Sequence, residues 1–160
     1  HGSNIQAGAS VLGVGQRAYD LCIQYAHARV QGSKPLIGHQ LQQIRLARMA
    51  MKLEAARAYI WRTAWSTQLE EMDKKNAMLC KVLAAESAVD VCRDAMELWG
   101  GTGYMRKNPV EKLTRDALSF LHSDGTNDVL LLKAAGFLEK PPKPGEFGYS
   151  ARTAEAAMGN

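Results

Sequence analysis

Apolar residues recur along this chain at helical spacing, three or four positions apart, over four long stretches. In the first, roughly 8–30, Val11, Val14, Ala18, Leu21, Cys22 and Tyr25 follow the period, and Gly32-Ser33-Lys34-Pro35 interrupts it. The second, roughly 38–69, keeps Leu41, Ile44, Ala47, Ala50 or Met51, Ala55, Ala58 and Ala64-Trp65 on one face. At 1.5 Å per residue it would span on the order of 45 Å. Asp73-Lys74-Lys75-Asn76 reads as a short polar turn. The third stretch, roughly 75–98, carries Leu79, Val82, Leu83, Ser87 or Ala88 and Cys92, and ends at Gly100-Gly101. Pro109 suits the first turn of a fourth helix with Val110, Leu113, Ala117 and Phe120 inward. Ser123-Asp124-Gly125-Thr126 ends it and can cap a short fifth helix, roughly 126–138.

Strand signals are scarce. Short turns between long amphipathic helices predict an all-α fold, an up-and-down four-helix bundle with an additional short C-terminal helix. The bundle is expected over 1–138, with a weakly ordered Pro/Lys/Gly tail over 139–160. Apolar residues around Met49, Trp61 and Trp65 lie on more than one side of the second helix, as expected of a helix that buries a second face in an oligomer.

With 160 residues, 46% apolar and 22% charged, the chain suits one soluble domain with a real core. The net charge of +4 comes from basic residues dispersed among acidic ones, so nucleic-acid binding is not expected. No apolar run reaches the roughly 20 residues of a membrane span. Three cysteines without close spacing, Cys22, Cys80 and Cys92, argue against a disulfide framework and against a metal site. A reducing cytoplasm is the default compartment, or the mitochondrial matrix in a eukaryote. The chain opens at His1-Gly2-Ser3, as expected of a piece of a longer protein.

Chemistry is expected at the breaks. Gly13-Val14-Gly15-Gln16-Arg17-Ala18 has the spacing of a dinucleotide fingerprint but lacks the strand and βαβ unit that motif needs, so these glycines are expected to permit close helix packing. Gly100-Gly101-Thr102-Gly103 could cradle a phosphate or simply end a helix. Asp124 could be a general base or a capping residue before Gly125.

Taken in order, Gly15-Gln16-Arg17-Ala18, Tyr25-Ala26, Arg29, Lys34-Pro35-Leu36-Ile37, Gln40, Leu46-Ala47-Arg48-Met49, Glu54-Ala55-Ala56-Arg57, Gly100-Gly101-Thr102-Gly103-Tyr104, Pro109-Val110-Glu111-Lys112, Arg115-Asp116-Ala117 and Asp124-Gly125-Thr126 resemble the C-terminal helical domain of acyl-CoA dehydrogenases over roughly 8–138. The resemblance implies an FAD-dependent enzyme that oxidises an acyl-CoA to its 2,3-enoyl-CoA. It implies Asp124 as the base that takes the α-proton and Gly125 beside the substrate thioester. Thr126 and Asp128 would contact FAD. Arg29 and Gln40 would reach the FAD of a neighbouring subunit, with Glu97, Gly100 and Gly101 on that cofactor's diphosphate side. It further implies a homodimer or homotetramer, an electron acceptor that the sequence does not name, and partner domains (an N-terminal helical one and a β-rich middle one) without which the chain is expected to be inactive.

Some positions depart from the family's pattern. Asp124 stands where Glu is usual, about 1.5 Å shorter in reach. Nitroalkane oxidase, a relative, resembles this case, which makes a flavin oxidase the alternative; a non-catalytic helical assembly module is another. Ser123 replaces a usual aromatic, Glu97 a usual Gln, and Gly32-Ser33 a common Phe-Gly. Asn4 falls where many members carry an Arg that holds the CoA moiety.

Overall fold

The computed structural model describes residues 2–69 and 73–139. Five helices follow the expected order: α1 (Gly2–Ala28), α2 (Gln40–Leu69), α3 (Lys74–Trp99), α4 (Pro109–Ser119) and α5 (Asn127–Ala135). Helices α1 to α4 form the up-and-down bundle, and α5 packs against the first half of α3. The expected tail from 140 onward lies outside the described residues.

Local chemistry sets the boundaries. Between α1 and α2, a two-residue antiparallel hairpin pairs β1 (Val30–Gln31) with β2 (Lys34–Pro35). Its turn is Gly32-Ser33, both at positive φ (58° and 70°), as tight hairpins require. The His39 ring closes onto the Gln31 carbonyl at 2.9 Å. The polar run 73–76 is a helix start and not a free turn: the Asp73 carboxylate accepts from the Asn76 N–H at 2.9 Å and caps α3. Pro109 opens α4 as expected.

The central helix is α3, which buries 14 of its 26 residues. It runs parallel to α1 at close range because both present small residues. A Cβ on Gly15 would stand 3.0 Å from Leu53 Cδ2 and 3.3 Å from Ala88 Cα, and one on Gly8 3.4 Å from Lys81 Cα. The close approach therefore depends on Gly15; a Cβ on Gly8 would make ordinary contact, and Gly13 faces open space. Helix α1 begins six residues before the periodic pattern because its first inward positions are Asn4 and Gly8, which do not read as apolar.

In α2 the sequence pattern marks the wrong face as the core. Leu46, Met49, Leu53, Ala56 and Ile60 are buried, whereas Leu41, Ile44, Met51 and Trp65 are exposed. Both stripes have the helical period, and periodicity alone does not say which one meets α1 and α3. The exposed stripe includes Trp61 at 70% and Trp65 at 65% accessibility. Cys22, Cys80 and Cys92 are all fully buried core residues.

Candidate active site

Parallel packing of α1 and α3 gathers the expected site residues into two groups at opposite ends of the bundle. From Lys81 to Trp99 the helix rises about 27 Å. At one end lie the start of α1, the first turns of α3 and the α4–α5 connection with Asp124, Gly125, Thr126 and Asp128. At the other lie the end of α1 with Arg29, the start of α2 with Gln40, and the end of α3 with Glu97, Gly100 and Gly101.

The Asp124 end is closely tied. Asp124 and Gly125 stand consecutively at positive φ, 57° and 101°. For a non-glycine residue this is uncommon and needs support from its surroundings. Asn4, 4% exposed, supplies some: its Nδ2 donates to the Asp124 carboxylate (Oδ2, 2.8 Å) and to the Asp124 carbonyl (3.1 Å). Asp124 is thus bound across the bundle to α1 and is not the capping residue of α5; Thr126 holds that position. Among the described residues nothing accepts the Asp124 N–H, which leaves that donor available.

Beneath the turn lies Lys81, fully buried. Its ammonium donates to the Gly125 carbonyl at 3.0 Å and to Asn127 Oδ1 at 2.8 Å. Burial pulls its pKa below the ordinary lysine value, and the negative charge of Asp124 works against that shift. Because an ammonium only donates, Asn127 must turn its oxygen to Lys81, which leaves its buried Nδ2 without a protein acceptor. Asn127 lines a cavity of about 490 Å³ together with Glu86, Val89, Asp90, Leu121, His122, Thr126 and Asp128. Asp124, Gly125, Thr126 and Asp128 are therefore neighbours, with the last two on the cavity wall.

The opposite end is open. Trp99 stacks on Tyr25 with ring centroids 4.1 Å apart and joins the ends of α1 and α3. Beyond it Gly100, at φ 59°, turns the chain, and a Cβ on Gly100 or Gly101 would meet nothing within 4 Å. The Arg29 backbone is fixed on both sides, its N–H on Tyr25 and its carbonyl taking the Leu36 N–H, each at 2.8 Å. Its side chain is exposed, as are those of Gln40 and Glu97.

The family model for the acyl-CoA dehydrogenase C-terminal domain matches residues 3–138. The chain belongs to the acyl-CoA dehydrogenase family. It is 38% identical over 134 residues to a 3-sulfinopropanoyl-CoA desulfinase of Paraburkholderia xenovorans, covering 84% of this chain and 34% of that protein. It is 36% identical over 132 residues to the mitochondrial short-chain specific acyl-CoA dehydrogenase of Bos taurus, 82% of this chain and 32% of that one. The solved butyryl-CoA dehydrogenase of Megasphaera elsdenii superposes with a TM-score of 0.84 at 33% identity, over 87% of this chain and 36% of that one. The chain thus spans about a third of these acyl-CoA dehydrogenase relatives, the part that forms their C-terminal domain. No helix among the described residues is long and apolar enough to cross a membrane.

Pattern reading reached Asp124 and its flanking residues but not Lys81, Asn4 or Asn127, which hold the turn. A signal for Lys81 was present: it sits between Cys80 and Val82, in register with the buried stripe of α3. Polar residues on an apolar stripe, Asn4 among them, were the places to look for buried support.

Proposed function

We propose that this chain is the base-bearing domain of an FAD-dependent acyl-CoA dehydrogenase-like enzyme. The observation that carries the reading is the Asp124 carboxylate, held by Asn4 on a left-handed turn, at the position where the resemblance puts the family's base.

The residues present fit FAD in two separate parts. At the Gly100 end, the open Gly100-Gly101 backbone, the Arg29 guanidinium and the Gln40 amide suit an anionic diphosphate, with Glu97 opposing it. At the Asp124 end, Glu86, Asp90 and Asp128 make the cavity unsuited to phosphate. There the unpartnered Asn127 Nδ2, Thr126 and Asp128 suit hydroxyl and carbonyl groups. Two groups so far apart would serve two cofactors, one of them shared with a second copy of the chain. The exposed apolar stripe of α2 gives that copy a surface to cover, in a homodimer or homotetramer.

In the reaction the Asp124 carboxylate takes the α-proton of the acyl thioester as the α C–H bond breaks. The Asp124 N–H, to which no described residue offers an acceptor, would donate to the thioester carbonyl beside Gly125, which acidifies that proton. What FAD supplies when bound is the acceptor for the β-hydrogen and its electron pair, so that a C=C bond forms. Asn4 restrains the carboxylate. The chain alone is proposed inactive, since the relatives' other domains would exclude water from the site. The working compartment would be the cytoplasm, or the mitochondrial matrix in a eukaryote.

The test is Asp124→Asn in the complete flavoenzyme, with flavin bleaching followed on a panel of acyl-CoA thioesters that starts with butyryl-CoA. A base predicts a loss of at least about 10²-fold. Wild-type bleaching would leave the chain as an assembly module. The Asp in place of Glu keeps a second reading, a flavin oxidase of the same lineage, and hydrogen peroxide formed in step with turnover would select it.

A further inference from the structure

Burying an ammonium is unfavourable unless its hydrogen bonds return the lost hydration, and an apolar side chain of the same length would fill the space without that penalty. Lys81 is therefore an unusual residue to find fully buried on the face of α3. Its Cα lies against Gly8 on α1, where a Cβ on the glycine would stand 3.4 Å away. Both of its hydrogen bonds go to the three residues that follow Asp124, on the Gly125 carbonyl and the Asn127 side chain. Gly125 takes the second of two consecutive left-handed steps; the first, at Asp124, is the one a non-glycine residue holds with support from its surroundings.

The supports of the turn can be followed one by one. Before it, the Ser123 hydroxyl donates to the Ser119 carbonyl at 2.9 Å. At it, Asn4 holds the Asp124 carbonyl and carboxylate. After it, the Asn127 N–H reaches back to the Leu121 carbonyl at 3.0 Å. Among the described residues only Lys81 hydrogen-bonds Gly125 itself, and it does so from the buried face of α3.

Resting on the assignment of Asp124 as base, we infer that Lys81 is a positioning residue: its ammonium fixes the Gly125 carbonyl and the Asn127 amide, and so sets the Asp124 carboxylate where it meets the substrate. Lys81 touches no reacting atom. Its effect passes through the turn, and a displacement of about 1 Å there is enough to cost 10²-fold in rate.

Two variants separate this role from simple packing. Lys81→Met keeps the length and removes the donors; Lys81→Gln keeps two N–H donors without the charge. In the complete flavoenzyme, exchange of the α-protons of butyryl-CoA in heavy water reads the base directly, without turnover. Lys81→Met is expected to slow exchange and kcat by roughly tenfold to 10²-fold with KM within about threefold of wild type, and Lys81→Gln to recover at least a third of that loss on a logarithmic scale. Wild-type exchange in Lys81→Met, or equal loss in both variants, overturns the inference. Should Lys81→Met not fold, Asn127→Ala removes one of the two acceptors, and wild-type exchange there overturns it equally. Asp124→Asn is measured in parallel. Wild-type exchange in that variant defeats the base assignment itself, whereas loss there beside wild-type exchange in Lys81→Met defeats only the role of Lys81. A crystal structure of Lys81→Met gives a readout that needs no substrate: an unmoved turn, with Asp124 at positive φ and still bonded to Asn4, also overturns it.

Discussion

At the Asp124 end of the bundle, side chains of the chain itself shape the turn. Asn4 reaches across from α1, Lys81 rises from α3, and Asn127 completes the connection. At the Gly100 end the same chain offers exposed side chains and two glycines with open space where their Cβ atoms would stand. A reactive carboxylate must be held in place before its substrate arrives, so its supports belong within one domain. A binding surface for a cofactor shared between bodies takes its shape only when the second body comes. On the proposed reading, the bundle keeps its chemistry at one end and its adhesion at the other.

The largest expected effect tests that division directly. In the complete enzyme, Asp124→Asn should lower the rate of flavin bleaching by at least about 10²-fold and leave flavin content unchanged. Arg29→Ala should do the reverse: weaker flavin retention, roughly tenfold or more for one charge-assisted contact to a phosphate, with the rate per bound flavin preserved. Loss of flavin from Asp124→Asn, or loss of rate without loss of flavin from Arg29→Ala, would break the comparison.

Between the two ends, the spacing of α1, α2 and α3 depends on Gly15. A methyl group there would press on Leu53 and on the Ala88 backbone. Gly15→Ala should destabilise the protein by about 1–3 kcal/mol, seen as a lower midpoint in urea. An unchanged midpoint would mean that α1 and α3 can part without cost.

The core has its own pH signature. Burial pushes the Cys22 and Cys92 thiols up from 9.0 to about 12 each, with the Trp99 indole working against the rise at Cys22. Cys80 and Tyr59 move in the same direction, again through burial. The native state then keeps protons that the unfolded chain releases, so stability holds below pH 9 and falls between pH 9 and 12. Each fully shifted thiol contributes about 1.4 kcal/mol per pH unit in that window. Lys81 opposes the trend, since its lowered value makes the unfolded chain the better proton binder. Urea midpoints at pH 8.5 and 10 should therefore fall with pH, and less so in Cys92→Ala. A flat profile would mean that the thiols are not sealed in the core.

Most of the fold was legible because α1, α3 and α4 each carry one dominant apolar stripe, punctuated by Gly100-Gly101 and Pro109. Helix α2 was legible as a helix but not in its orientation: it carries two apolar stripes, and the one with Trp65 faces outward. The start of α1 was hidden because Asn4 and Gly8, inward in the structure, belong to residue types that usually mark caps and turns. Asp124 stood out as a carboxylate beside a glycine. Its supports did not, because Asn4 and Lys81 lie 120 and 43 positions away in sequence, and only parallel packing of α1 against α3 brings them together. Local pattern reports local geometry, and the supports of this turn are not local.

The smallest effect makes the sharpest test, because it compares two glycines that look alike. Neither Gly13 nor Gly101 has a neighbour within 4 Å of the place a Cβ would take. Gly13 is mid-helix in α1, so Gly13→Ala should gain up to about 1 kcal/mol from helix propensity and leave flavin binding alone. Gly101 follows the end of α3, outside any long helix, so Gly101→Ala should change stability by no more than about 0.5 kcal/mol. If the open backbone at Gly101 receives a diphosphate, that methyl group stands where the phosphate must come, and the complete enzyme should lose flavin on dialysis faster than wild type. Equal flavin retention in both variants would make Gly101 a helix ending and nothing more. Binding at that end would then fall to Arg29 and Gln40 alone. Selective loss in Gly101→Ala would assign the emptiness around it to a ligand, a distinction that neither helix geometry nor packing makes between the two glycines.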